Sequence, residues 1–554
     1  MKKNKYYPLI ILSAIFLIGL FLRLYRINLN SPALYADETG QYFVFKSILE
    51  GTSSFIEHLI KLSFSFTWFL GLKPLGVRLP AAIYGSLLIP LVYFLGLSFS
   101  GGKKNESLVF AGMTAIIPWD FMISRIGHSH IPIMIFMVCL HVLLYHRAKT
   151  IKTYILSFLP LGVAMVYYPS VIFIVPFIVI HFLLEINKLF DRKFRLPFFA
   201  GLVSLTLVFG AFLSFRFHLF SAGGRGLDLV IWNDVNTPWQ TDKYRALSWN
   251  SEPTVFSFGL PPEKLANKLV YNRAMANLST FAHNYFTFFS PDWLFFKGDA
   301  ILRHSTGQVG AFYPFLIPFM LYGAFVFFKV ADKKTKQIFL IWILASPIPA
   351  AITKDGAGYL LRVVTVLPFL TYFCALGIVE SFNLIKKNLR IPYGIIVGLI
   401  GLYSAYYFFF GYFHVYPSLS ARSYEYGFKE LSDFQVANNN APMLVIWDGY
   451  YHNNDFRFWQ ATPFSEYSSF KIKETVIGES HFNQTFTNLY FVNPKSLNDL
   501  QRFLSVFPIK YIVLPDRYFI NYPTEIDAEF ATPSAVIKYP DQTPALRVYN
   551  LEPK

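Results

Sequence analysis

Charge is what this sequence is short of. Only 15% of its 554 residues are Asp, Glu, Lys or Arg, where a soluble chain carries roughly a quarter. Apolar residues fill the gap at 54%, and aromatics alone make up 19%. Cysteine is nearly absent: Cys139 and Cys374 each stand inside an apolar run. That excludes a disulfide framework and a cysteine-based metal site. Acidic residues are scarcer than basic ones, which leaves a formal net charge of +16. Such an excess would suit nucleic acid, but the Lys and Arg residues lie in short clusters between apolar runs, the pattern of membrane topology. Long uncharged runs indicate a polytopic membrane protein.

The N-terminus lacks a cleavage site. Met1-Lys2-Lys3-Asn4-Lys5 looks like the start of a signal peptide, but the apolar run after it is too long, so it reads as an uncleaved anchor. About eleven spans are expected, near 7–25, 79–98, 107–123, 131–146, 154–168, 170–186, 197–215, 312–330, 337–352, 359–380 and 391–412. With the N-terminus in the cytoplasm, every cytoplasmic link carries a basic cluster: Lys2, Lys3 and Lys5; Lys103 and Lys104; Arg147, Lys149 and Lys152; Lys188, Arg192, Lys193 and Arg195; Lys329, Lys333, Lys334 and Lys336; Lys386, Lys387 and Arg390. The short external links hold only Arg125, Lys354 and Arg362 at or near their ends. Three sizeable segments then lie outside: 26–78, 216–311 and 413–554.

The first external loop contains Leu34-Tyr35-Ala36-Asp37-Glu38-Thr39-Gly40, two adjacent carboxylates shortly beyond the first apolar run. An arbitrary Asp-Glu pair is most often a solvated helix start. Polar groups at a membrane face are costly and tend to be functional, which favours a site here. Arg78, in Val77-Arg78-Leu79-Pro80, and Arg125, in Ser124-Arg125-Ile126, stand outside against the general charge bias, a reason to look for an anionic partner. Snorkelling anchors for lipid headgroups are the competing reading. His128 and His130 lack a third ligand in sequence, so a metal site is not expected there.

The loop 216–311 contains Phe289-Ser290-Pro291-Asp292-Trp293-Leu294-Phe295-Phe296-Lys297-Gly298-Asp299, followed by Arg303 and His304. It is too aromatic for a linker and is expected to cover a cavity at the membrane surface. Asp292, Lys297, Asp299, Arg303 and His304 are its candidate substrate contacts. After residue 412, helix-like 422–438 and 496–506 alternate with strand-like Met443–Trp447 and Lys510–Pro515. That predicts a small α/β domain over 413–554, outside the membrane, beside a transmembrane module over 1–412. The domain lacks a phosphate-binding glycine loop and a nucleophile elbow, which leaves it a recognition or structural role.

The external Asp37-Glu38 pair, Val77-Arg78-Leu79-Pro80, Ser124-Arg125-Ile126 and Leu360-Leu361-Arg362 come in an order and on a side that resemble the GT-C membrane glycosyltransferases. The branch resembled is the protein O-mannosyltransferase-like one, which includes bacterial lipid A aminoarabinose transferases. The segment Phe289 to Asp299 resembles a family element, and the likeness covers about residues 10–380. It implies a GT-C-like fold, a polyprenyl-phosphate sugar donor and transfer to an acceptor hydroxyl of a protein, lipid or glycan at the external face. It also implies inversion, Asp37 as general base with Glu38 orienting it or the acceptor, and no nucleic-acid partner.

The chemistry agrees with that expectation. A hydroxyl attacking an anomeric carbon needs a carboxylate to take its proton. The leaving lipid phosphate needs positive charge, for which Arg125, Arg362 and, more weakly, Arg78 are the candidates. The first loop has no Asp-x-Asp, so no cofactor is expected, with a divalent metal left open. Two alternatives compete: a polyprenyl-linked glycan ligase or polymerase, which would not need an early acidic pair, and a lipid-linked sugar flippase or transporter. The second predicts inverted repeats and ionisable residues at mid-membrane. No clear repeat is seen, and the nearest acid, Asp120, lies toward the outer end of its span.

Overall fold

The computed structural model describes residues 6–51, 55–186, 195–220, 229–250, 269–447, 452–460, 473–486, 488–518, 520–530 and 532–551. The basic residues expected at 2, 3, 5, 188, 192 and 193 lie outside these. The chain is a multi-pass α-helical membrane protein with a small C-terminal sheet domain. Among the described residues, six helical stretches are long and apolar enough to cross a membrane: Tyr7–Leu24, Pro74–Phe99, His130–Arg147, Arg195–Phe212, Leu360–Leu384 and Lys387–Ser420. Ile151–Tyr167, Pro169–Leu184 and Pro314–Val330 are shorter apolar helices.

The remaining two expected spans are broken helices. Lys104–Ile116 stops before Pro118–Ile123, and Ile117, the residue ahead of the proline, is extended at φ −71, ψ 139. Proline disfavours helical backbone in the residue before it, and this break follows that rule. Lys333–Ala345 likewise gives way to Ile348–Ala351 around Pro347 and Pro349.

The chain divides into two compact units that do not follow chain order. One comprises Met1–Leu20, Tyr84–Met122 and His130–Phe408; the other comprises Phe21–Ile83, Ile123–Ser129 and Phe409–Lys554. Within the first, the Ile317–Val330 and Leu367–Leu384 helices touch backbone to backbone. A Cβ on Gly323 would stand 1.8 Å from the Phe373 carbonyl oxygen, and one on Gly377 would stand 1.8 Å from that of Phe319. Small residues at such a crossing are how apolar helices pack closely where no hydrophobic force separates lipid from protein.

Among the described residues, the second unit contains a seven-stranded sheet. Its strands are β1 (Met443–Ile446), β2 (Lys473–Ile477), β3 (Ser480–Phe486), β4 (Leu489–Val492), β5 (Tyr511–Pro515), β6 (Ala535–Lys538) and β7 (Pro544–Asn550). Their order is β2-β3-β4-β1-β5-β7-β6. The central β1 is parallel to both β4 and β5, and the outer pairings are antiparallel. Met443-Leu444-Val445-Ile446 is apolar throughout because both faces are covered. Met443 and Val445 face a core with Phe428 and Leu431 of the helix Phe428–Ala437. Leu444 and Ile446 face the opposite core with Leu500 and Phe503 of the helix Leu497–Val506. The α/β alternation expected after residue 412 thus forms a three-layer domain.

Candidate active site around Asp37

The acidic pair lies on a single helical turn, Ala36–Thr39, between Tyr35 and Gly40. Successive helical residues point about 100° apart, so two adjacent carboxylates must part company. Asp37 points outward, with a side chain 69% exposed, and Glu38 points inward, fully buried.

Glu38 is held by an extensive set of donors. Its Oε1 accepts from Arg78 Nε at 2.8 Å and from the Gly127 amide at 2.7 Å, and Oε2 accepts from Arg78 Nη2 at 2.9 Å. The Gly127 amide can come this close only because the residue lacks a side chain. A Cβ there would stand 2.5 Å from Val77 Cγ1 and 2.8 Å from Glu38 Cγ. Arg78 spends its remaining N–H groups on the carbonyls of Ile27, Ser31 and Ala33. A guanidinium has five N–H donors, and the contacts to Glu38 and the 27–33 turn use them all. Arg78, expected to help bind phosphate, is therefore the partner of Glu38 and the clamp of the loop leading to it. Glu38, expected to orient Asp37 or the acceptor, has its carboxylate turned into this clamp.

Arg125 is also completely buried. Its Nε donates to the Tyr412 hydroxyl at 2.9 Å, and Nη1 donates to the carbonyls of Leu22 and Arg23 at 2.8 Å each. The guanidinium lies 5.2 Å from the Tyr412 ring centre and 5.5 Å from that of Phe413. It ties off the last carbonyls of the Tyr7–Leu24 helix, whose final turn lacks intrahelical donors. His128, three residues on, reaches the acidic turn: Nε2 lies 3.4 Å from Asp37 Oδ2 and is in hydrogen-bond contact with the Tyr35 hydroxyl. His130 packs instead against the Tyr168 ring, at 6.0 Å between centres. Among the described residues, no group of three or more His, Cys, Asp or Glu is placed to hold a metal ion.

The remaining expected residues belong to the first unit. Arg362 donates through Nη1 to Asp355 Oδ1 at 2.8 Å and to Thr353 Oγ1 at 2.5 Å, and through Nη2 to Asp355 Oδ2 at 3.1 Å. It stacks over the Tyr359 ring at 4.7 Å. Burial raises the Asp355 carboxyl, but the hydrogen bonds and charge of Arg362, with its own amide and the Lys354 charge, together hold the group below the usual range. A cavity lined by Ser170, Trp342, Ser346 and Thr365 opens beside Arg362, with about 10 Å³ for a water's centre, room for roughly one water.

Asp299 and His304 form a buried pair that stitches loops together. Asp299 Oδ2 accepts from His304 Nδ1 at 2.9 Å and from the Leu360 amide at 2.8 Å, while Oδ1 accepts from the Ile301 amide at 2.8 Å. Asp292 and Lys297 pair at 3.0 Å on the exposed side of the π-helical turn Asp292–Phe296. Arg303 is half-buried.

Sequence reasoning missed the contribution of the C-terminal segment. Tyr412 accepts from Arg125, Tyr424 accepts from Ser31 at 3.0 Å, and Glu425 Oε2 accepts from the Ala36 amide at 3.1 Å. The only local signal is a run of tyrosines at helical and turn spacing, Tyr412, Tyr416 and Tyr424, which reads equally well as an interfacial belt.

No protein-family model and no curated protein matches the chain. Solved structures with a related chain path include an oligosaccharyltransferase of Archaeoglobus fulgidus tethered to an acceptor peptide. It shows 13% identity and a TM-score of 0.48 over 98% of this chain and 74% of that one. The same enzyme with zinc and sulfate gives 13%, 0.47, 97% and 73%. ArnT of Cupriavidus metallidurans bound to undecaprenyl phosphate gives 11% and 0.47 over 98% of each chain. Likenesses of this level assign the chain neither a family nor an activity.

Proposed function

We propose that the protein is an integral membrane glycosyltransferase that moves a sugar from a polyprenyl-phosphate donor to an acceptor hydroxyl, with Asp37 as general base. The observation that carries this reading is the divergence of the acidic pair. Asp37 offers its carboxylate to solvent, 69% exposed, from a turn whose neighbouring Glu38 is locked to Arg78 and Gly127. A proton acceptor held on a fixed backbone is what this transfer requires. As the acceptor oxygen bonds to the anomeric carbon, its proton passes to the Asp37 carboxylate. The bond from that carbon to the phosphate oxygen breaks, and the lipid phosphate leaves with the electron pair. Attack opposite the leaving group inverts the anomeric centre.

Arg362 is proposed to meet the donor phosphate by exchanging its exposed partner, Asp355, for the ligand. Arg78 and Arg125 are proposed as positioning residues, since all five donors of Arg78 and the Nε and Nη1 groups of Arg125 are engaged by protein carbonyls, Glu38 and Tyr412. The proposed setting is the inner membrane, with the N-terminus cytoplasmic and residues 413–554 external. Reporters fused at residues 105 and 554 should then lie on opposite faces; a common face would overturn the orientation.

The test of function uses purified protein in nanodiscs and a panel of synthetic prenyl-phosphoryl hexoses and pentoses, with release of prenyl phosphate as the readout. General-base catalysis contributes about 10²–10⁴-fold, so Asp37→Asn should lower turnover at least a hundredfold while donor affinity changes little. Full turnover in Asp37→Asn would overturn the reading. Movement of the intact donor between leaflets without cleavage would favour a flippase.

A further inference from the structure

We propose that Glu425, packed against the buried His452–Asp455 pair, is a positioning residue that pins the acidic turn from the C-terminal domain and so sets the aim of Asp37; this rests on the reading of Asp37 as the base. The contact is direct. Glu425 Oε2 accepts from the Ala36 amide at 3.1 Å, across 389 residues of sequence. Ala36 opens the turn that carries Asp37, so whatever fixes its amide fixes the direction of the next side chain.

Three further observations show that this carboxylate is held in place. Glu425 follows the 3₁₀ turn Arg422–Tyr424 in the left-handed region, at φ 52, where a side chain is strained and glycine would be comfortable. A strained residue kept at one point of contact is a sign that its side chain is needed there. Behind it, His452 Nε2 stands 3.8 Å from the same Oε2, while Nδ1–H donates to Asp455 Oδ2 at 2.7 Å. His452 and Asp455 are buried, with side chains 1% and 2% exposed. The imidazole is wedged flat against Phe428, 3.9 Å between centres, and edge-on to Trp447 at 4.6 Å, so it cannot swing away. Finally, Tyr424 accepts from Ser31 at 3.0 Å and packs edge-on to Tyr35 at 5.8 Å, so Tyr424 and Glu425 grip the turn at adjacent points.

The alternative is a fold staple with no bearing on the chemistry. The two differ in what they move. A pin that aims a base affects kcat, leaves donor KM nearly alone, and is rescued by a side chain that still accepts the amide proton. The experiment compares Glu425→Gly, Glu425→Gln and Asp37→Asn in full-length protein in nanodiscs. It reads hydrogen exchange of the 36–40 amides and steady-state release of prenyl phosphate from the same donor panel. Glycine relieves the backbone at 425, which keeps the domain folded while deleting the contact.

Glu425→Gly is expected to speed exchange of these amides and lower kcat, each by about tenfold or more, with KM within about twofold. Glu425→Gln should stay within about threefold of wild type in both readouts, since its amide oxygen still accepts. Unchanged exchange in Glu425→Gly overturns the pin. Faster exchange with unchanged kcat, in a protein that Asp37→Asn inactivates, overturns its role in aiming the base. Faster exchange together with a fully active Asp37→Asn removes the base reading alone and supports the pin.

Discussion

Two turns at the ends of apolar helices each pair an arginine with a carboxylate, and they differ in what surrounds the pair. At Glu38 and Arg78 both side chains are 1% exposed or less, and the arginine is saturated by the carboxylate and three backbone carbonyls. At Asp355 and Arg362 the carboxylate is 53% exposed and the arginine 13%. A buried ion pair is a fixture, because removing either partner strands the other charge in a poor solvent. A pair at the water's edge is worth little in stability and can trade its carboxylate for a ligand. In sequence both arginines are phosphate candidates, Arg78 the weaker; burial separates an enclosed pair from one at the water's edge.

The largest effect expected from that contrast is at Arg78. Arg78→Ala leaves Glu38 buried with one remaining donor, and breaking such a pair costs about 3–5 kcal/mol. The prediction is a large loss of thermal stability in nanodiscs. A variant as stable as wild type would show that Glu38 is solvated or protonated, and the contrast would fail.

Arg362→Ala should leave thermal stability nearly intact and weaken donor binding. Loss of charge-assisted hydrogen bonds, each roughly 1.5–3 kcal/mol, predicts about ten- to a hundredfold lower affinity. Arg362→Lys should recover only part, because a point charge lacks the planar fork. Titration with a prenyl phosphate checks both, and unchanged affinity in Arg362→Ala would remove the phosphate role.

The smallest effect is at Asp355. Its carboxyl is held below the ordinary value in the folded protein, so the pair's contribution is fully present above pH ~4 and is lost only as pH falls through the depressed value. Because the carboxylate is half in water, Asp355→Asn should change stability at pH 7 by less than about 1 kcal/mol. It should also leave Arg362 freer, with equal or tighter prenyl-phosphate binding. A marked loss of either would mean the pair is structural after all.

Much of the fold was legible because membrane burial writes itself as composition. Each of the eleven apolar stretches is helical, and the strands at Met443 and Tyr511 stand where apolar, β-branched runs predicted them. The breaks at Pro118 and Pro347 were not marked, since a hydropathy run averages over a proline whose effect is local to the backbone. The acidic turn was legible as two costly charges at a membrane face. Which of the two is buried was not, because that depends on donors supplied by Arg78 and Gly127, distant in sequence. Glu425 was invisible for the same reason: its partner lies 389 residues away, and no spacing rule links them.

The claim at the centre of this account is that adjacent carboxylates divide the work, Asp37 doing chemistry and Glu38 holding the turn. It is tested most directly by measuring turnover and thermal stability together for Asp37→Asn and Glu38→Gln in the same nanodiscs. Asp37→Asn should keep wild-type stability and lose at least about a hundredfold in turnover. Glu38→Gln should lose stability, because its neutral amide leaves the Arg78 charge uncompensated inside the protein. A stable Glu38→Gln protein that has lost turnover, beside a fully active Asp37→Asn, would contradict the account and make Glu38 the base.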